Sequence, residues 1–231
     1  APHWDGAVDK IVDSIAPRGA GQPFALVEDG TIYGRELTEN VRVGLEDLGI
    51  TPAFIDTYRP AQDKQFGLAH RLQRSGATHV FVGGDRSDIA IIARDSAALG
   101  LDLTFMGGDS LKAADGDVPL EDGVLAVMTP APETLPEAQK AITALAARGL
   151  PPYGDRIDGY AAAELVAQAN KAAEAGGKKL TAVFAAQSFT TALGSIRFDD
   201  KHELADNPFE LTAWNGNDFV PVGSGAVSKA Q

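Results

Sequence analysis

The sequence predicts an α/β fold built on a parallel sheet with helices on both faces. Short apolar, β-prone runs alternate with longer helical patterns at intervals of about 25 residues, the signature of βαβ units. Glycines stand where those helical patterns stop. The composition is that of a globular chain: 231 residues, 44% hydrophobic and 23% charged. At this length a chain buries roughly 70% of its unfolded surface, enough for one large domain or two small ones.

The elements follow in order. Phe24-Ala25-Leu26-Val27 reads as a strand, with Glu28-Asp29-Gly30 as its turn. Leu37, Val41, Leu45 and Leu48 share one helical face, so Thr31–Leu48 reads as a helix with Thr31 as N-cap and Gly49 past its end. Ala53-Phe54-Ile55 is a second strand, followed by the loop Tyr58-Arg59-Pro60. Phe66, Leu68, Ala69 and Leu72 mark a helix ending at Gly76. Next come a strand Thr78–Val82, a helix Ser87–Leu99, and strands Leu103–Met106 and Val124–Met128. From Pro130 to about Gln187 the chain turns Ala-rich, with helices near Pro136–Ala147 and Asp158–Ala175 and no convincing strand. Strands return at Ser195–Phe198, Phe209–Trp214 and Phe219–Val222, and Asn215-Gly216 signals a hairpin. The small, polar tail Gly223–Gln231 reads as frayed.

Charge and composition exclude several functions. Asp+Glu number 32 against 20 Lys+Arg, a net charge of −12, which argues against a nucleic acid partner or an anionic membrane surface. Without cysteine there are no disulfides, thiolate metal sites or cysteine nucleophiles. No apolar run approaches the roughly 18 residues of a membrane span. The four histidines, His3, His70, His79 and His202, have no metal-ligand spacing, and the nucleophile elbow, phosphate loop and zincin motifs are all missing. Neither a catalytic residue nor a cofactor or metal is expected. A chain opening on Ala1 rather than Met is expected to have been processed or cut, by export or by trimming.

Two strands end alike, in Phe81-Val82-Gly83-Gly84-Asp85 and Phe105-Met106-Gly107-Gly108-Asp109. In an open parallel sheet, ligands bind beyond the carboxyl ends of the strands. Gly84 and Gly108 would let a ligand approach the backbone, and Asp85 and Asp109 would suit a cationic group such as an ammonium. The bland alternative is a strand-to-helix turn with Asp as N-cap. Tyr33 stands on the same side of the sheet, placed either to stack on a ligand or to pack on its own loop. Arg86 would either hold a carboxylate or neutralise its neighbour Asp85.

These pieces resemble, in order and spacing, the type I periplasmic solute-binding proteins of ABC transporters, in their branched-chain amino acid (Leu/Ile/Val-binding) class. Tyr33-Gly34, the two Gly-Gly corners, Gly159-Tyr160-Ala161, Gly194-Ser195-Ile196-Arg197-Phe198-Asp199 and Trp214–Val222 carry the resemblance. It implies an α/β ligand-binding lobe of residues 1–129 and 195–231, the family's second lobe, with 130–194 as the helical portion of the first. The rest of the first lobe would lie outside the chain. The helices of 130–194 are then expected to expose an apolar face, covered by that missing lobe fragment or by a second copy. The function implied is capture of an amino acid or related amine-bearing solute in an interlobe cleft, for an ABC permease in the periplasm, without catalysis. Asp109 would bind the ligand's α-ammonium and Tyr33 would line the cleft. Asp85 stands where the class commonly has Tyr, which puts branched-chain specificity in question. The alternative is a ligand-sensing or protein-interaction module of the same fold, acting through a partner chain.

Overall fold

The computed structural model describes residues 4–19, 22–153 and 155–222, so the expected frayed tail lies outside the described residues. These divide into two compact units, 130–208 and the remainder, 4–129 with 209–222.

The larger unit is a sheet between helices. Its elements run α1 (Trp4–Gly19), β1 (Phe24–Glu28), α2 (Ile32–Asp47), β2 (Phe54–Thr57), α3 (Phe66–Ser75), β3 (His79–Gly83), α4 (Arg86–Ala98), β4 (Thr104–Gly107) and β5 (Leu125–Met128). Strand order β2-β1-β3-β4-β5 is parallel throughout. Two antiparallel strands, β8 (Glu210–Trp214) and β9 (Phe219–Pro221), extend it past β5. Side chains alternate across the strands, so each face has its own core. On one face Val27, Val82, Phe105 and Ala126 pack with Leu68 and Leu72 of α3 and Ile89 and Ile92 of α4. On the other, Leu26, Phe81, Met106 and Val127 pack with Ile11 and Ile15 of α1 and Leu37, Val41 and Leu45 of α2. The chain winds left from β1 to β2 and then right to β3, so α2 and α3 cover opposite faces. That reversal puts the topological switch point at the carboxyl ends of β1 and β3, where doubly wound sheets take ligands.

Local chemistry accounts for the boundaries. The Thr31 hydroxyl caps α2 by accepting from the Gly34 amide at 3.0 Å, and Gly76 closes α3 in the left-handed region at φ 69°. Asn215 to Asp218 make the tight β8–β9 turn, with the Asn215 amide donating to the Asp218 carbonyl at 3.1 Å. The helix α1 was not among the sequence-derived elements. It places Ala7, Val8, Ile11, Val12 and Ile15 on the sheet side, and a Cβ on Gly44 of α2 would come within 2.7 Å of Val12.

Residues 130–208 form the smaller unit. It holds α5 (Gln139–Ala146), α6 (Arg156–Gly176), the short α7 (Leu180–Ala186) and the hairpin β6 (Phe189–Thr191) and β7 (Gly194–Ile196). One apolar cluster joins Ala138, Ala141 and Leu145 to Ile157 and Ala161. A second centres on Phe189 and Val183, where the Phe184 ring stands 5.6 Å from Phe189 and 5.9 Å from Phe198. The strand expected at Ser195–Phe198 therefore pairs within this unit. The chain rejoins the large sheet at Phe209 rather than at residue 195, because β7 finds its partner in β6.

A close joint lies at the reversal point, where Gly34 of α2 meets Gly83 of β3 backbone to backbone. A Cβ on Gly34 would collide with the Gly83 carbonyl and the Asp29 carboxylate. Gly34→Ala is expected to cost about 1–3 kcal/mol of stability in urea denaturation, as overpacking of a closed site does.

Candidate functional site

The carboxyl ends of β1, β3 and β4 stop level with one another, since Glu28 pairs with Gly83 and Val82 with Gly107. Both Gly-Gly-Asp corners therefore leave the sheet along one rim. The Ser110 hydroxyl ties them by donating to the Gly84 carbonyl at 2.7 Å. From α2, the Tyr33 hydroxyl reaches the second corner and donates to Asp109 Oδ1 at 2.9 Å, while the Ser110 amide lies 3.4 Å from the same hydroxyl. Burial, more than the Asp109 charge, pushes the Tyr33 phenol up to about 12, so it stays a neutral donor. Asp109 is exposed, and Oδ2 has no partner among the described residues.

Asp85 sits at the N-cap position of α4 yet makes no side-chain capping bond, and it is exposed. The capping role that would have explained its presence is unused. Tyr33 is tied to the second corner rather than to its own loop: it packs against Gly108 and presents its hydroxyl to Asp109.

Two expectations are corrected. Gly84 and Gly108 are buried, and the space a Cβ would need belongs to the protein itself. The Tyr58 hydroxyl presses on Gly84, and Tyr33 and Leu37 close on Gly108, so these glycines admit side chains of the fold rather than a ligand. Arg86 neither faces solvent nor neutralises Asp85. It is 4% exposed and turns inward, with Nε donating to Asp115 Oδ1 and Nη1 to the Leu111 carbonyl, each at 2.7 Å. Its guanidinium lies 4.3 Å from the Trp214 ring centre.

Sequence reasoning missed the acidic layer beneath the rim. Asp29, Asp88 and Tyr58 are buried side by side with Asp85 above them. Asp29 Oδ1 accepts from the Thr31 amide and hydroxyl, and Asp88 Oδ1 accepts from the Ala61 amide at 2.9 Å. The Tyr58 hydroxyl has no hydrogen-bond partner, and burial with four surrounding carboxylates pushes its phenol far up. Burial first, then Asp85 and Asp29, raises Asp88 above the usual carboxylate range, against the pull of the Ala61 amide. The one visible signal was the density of acids in Glu28-Asp29, Asp85 and Asp88 around strand ends. Among the described residues no group of three or more acidic or histidine side chains is arranged to hold a metal ion.

Comparison with known proteins places this geometry. Residues 2–218 match the sequence profile of the periplasmic binding protein family. The leucine-, isoleucine-, valine-, threonine- and alanine-binding protein of Pseudomonas aeruginosa is 31% identical over 209 residues, covering 87% of this chain and 55% of that protein. The chain thus spans about half the length of the curated relatives it matches. A putative branched-chain amino acid ABC transporter from Rhodospirillum rubrum superposes with a TM-score of 0.73 at 17% identity, over 94% of this chain and 65% of that one. A solute-binding protein from R. palustris in complex with benzoate superposes with a TM-score of 0.66 at 20% identity, over 94% of this chain and 61% of that one.

A raised carboxylate favours the fold when protonated. Asp88 therefore weakens the protein as pH climbs from the ordinary carboxylate value of about 3.9 through its higher folded value, and the cost persists above it. Asp88→Asn keeps an oxygen for the Ala61 amide and removes the charge. Urea denaturation is expected to show the variant more stable than the parent at pH 7, with the advantage fading toward pH 4.

Proposed function

Because the chain belongs to the periplasmic binding protein family, we propose that it captures an α-amino acid or related amine-bearing solute on the carboxyl rim of its large sheet. In this reading it serves an ABC permease in the periplasm, releases the solute unchanged and performs no chemistry on it. The observation that carries the reading is Asp109: an exposed carboxylate with one oxygen held by Tyr33 and the other unpartnered. A carboxylate oriented in this way suits an ammonium, which forms short charge-assisted hydrogen bonds with it.

The surrounding charge supports the same ligand class. Arg86, the cation closest in sequence to either corner, is committed to Asp115 and Leu111. Lys112 donates to Thr129 at 2.8 Å. Asp85 and Asp109 are both exposed at the ends of adjacent strands, where a cation can meet them. The likeness to the Pseudomonas protein, whose name gives five amino acids, supports an α-amino acid.

Calorimetry with leucine, isoleucine, valine, threonine and alanine tests the reading. At least one is expected to bind, with Asp109→Ala weakening it about 10- to 100-fold, the worth of a charged hydrogen bond. Tyr33→Phe, which frees Asp109 Oδ1, is expected to lose a smaller factor. Equal binding by the parent and Asp109→Ala would remove Asp109 from the site.

One observation favours the second reading, a sensing or interaction module. In the smaller unit Leu150, Tyr153 and Val166 are 43%, 60% and 44% exposed. Such side chains seek cover from another segment or a second copy. Size-exclusion chromatography with light scattering decides: a mass above the 24.1 kDa of one chain supports this reading. A monomer that binds amino acid removes it.

A further inference from the structure

Arg86 is the first residue of α4 and follows Asp85 directly, so it belongs to the first Gly-Gly-Asp corner. Its side chain, however, serves the second. Asp109 opens a 3-10 turn, Asp109–Lys112, that hangs from the end of β4. The Leu111 carbonyl of that turn accepts from Arg86 Nη1 at 2.7 Å in a buried bond, and the Leu111 side chain is fully buried. Arg86 Nε holds Asp115 Oδ1 at 2.7 Å, and the Leu120 amide donates to the same oxygen at 3.3 Å. The plane of the guanidinium is covered by the Trp214 ring at 4.3 Å and the Phe219 ring at 5.7 Å, both from the β8–β9 hairpin. Two directed bonds and a stacked face fix the group in position, a set of contacts that the point charge of lysine does not reproduce. The same hydrogen bond holds the Asp115 carboxyl below the usual range.

The turn carrying Asp109 has other anchors too, the fully buried Leu111 side chain and the Lys112 bond to Thr129 at 2.8 Å. Its own backbone bonds, Leu111 amide to Gly108 carbonyl and Ala113 amide to Ser110 carbonyl, are 3.2 and 3.1 Å long and local. Ser110 to Gly84 and Tyr33 to Asp109 hold its front, and Arg86 holds its back. A buried arginine whose two hydrogen bonds serve a backbone carbonyl and a carboxylate behind a ligand group acts on geometry rather than on the ligand.

We propose that Arg86 is a positioning residue: its clamp on Leu111 and Asp115 sets where Asp109 stands on the rim, and so sets affinity for the ligand amine without touching it. The inference rests on the amino acid reading given above.

Hydrogen exchange on the free protein and calorimetry with the same five amino acids test it together, on Arg86→Met and Arg86→Lys. Lysine keeps the buried charge, so it remains informative should the methionine variant fail to fold. Amides in 109–113 are expected to exchange about tenfold faster in the variants while those of β1 and β3 do not change. Affinity is expected to fall about tenfold in otherwise parental protein but less than about twofold when combined with Asp109→Asn, because coupled residues are not additive. A purely structural role would give the same loss in both backgrounds and would overturn the proposal, as would unchanged exchange at 109–113 or faster exchange with unaltered affinity. If the parent binds none of the amino acids, the functional reading fails and this proposal with it. If the parent binds and the variants match it, only this proposal fails.

Discussion

Contact between the start of α2 and the ends of β3 and β4 organises the whole carboxyl rim. Gly34 and Gly83 touch through their backbones, with the Thr38 hydroxyl closing the remaining space above Gly83. That approach brings Tyr33, the residue beside Gly34, over Gly108 and within reach of Asp109. It occurs at the reversal of strand order between β1 and β3, the place where ligands bind in doubly wound sheets. Larger residues at 34 or 83 would lift the helix and take the tyrosine with it. The glycines thus act on the site indirectly, by allowing the helix to come close.

Charge follows from the same packing. The fold draws Arg86 under Trp214 and leaves Asp85 and Asp109 exposed, with Asp85 close to the buried Asp29 and Asp88. Exposed carboxylates beside buried ones favour a cation in their neighbourhood. Burial and mutual repulsion make Asp88 easier to protonate, while Tyr33 stays neutral and donates to Asp109. Stability is thereby given up at Asp88, near Asp85 at the corner after β3.

Much of the large unit was legible because its strands are uninterrupted apolar runs and its helices carry one-sided apolar spacing. Phe24 to Val27 and Leu37, Val41 and Leu45 are examples, and all are buried. The two Gly-Gly-Asp corners could be read as one rim because parallel strands that follow one another through single helices end at the same level. Other features resisted for physical reasons. Helix α1 shows the right spacing from Ala7 to Ile15, but Pro17 inside it argues the other way. Helix α7 spans seven residues, too few for a period to declare itself. A glycine pair reports that something comes close, yet it does not say whether that is a ligand or Tyr58. The inward turn of Arg86 depends on Trp214 and Phe219, which reach it only through the hairpin that rejoins the sheet at its far edge. For the same reason the crossing point at Phe209 was misplaced at residue 195: β7 is strand-like in sequence but takes β6 as partner.

The most direct measurement of the central claim is a crystal structure of the protein grown with a bound α-amino acid. The account predicts the ammonium nitrogen about 2.7–2.9 Å from Asp109 Oδ2, with the Tyr33–Asp109 hydrogen bond intact. An ammonium seated away from both corners, or Asp109 paired with a lysine or arginine of the protein in its place, would contradict it.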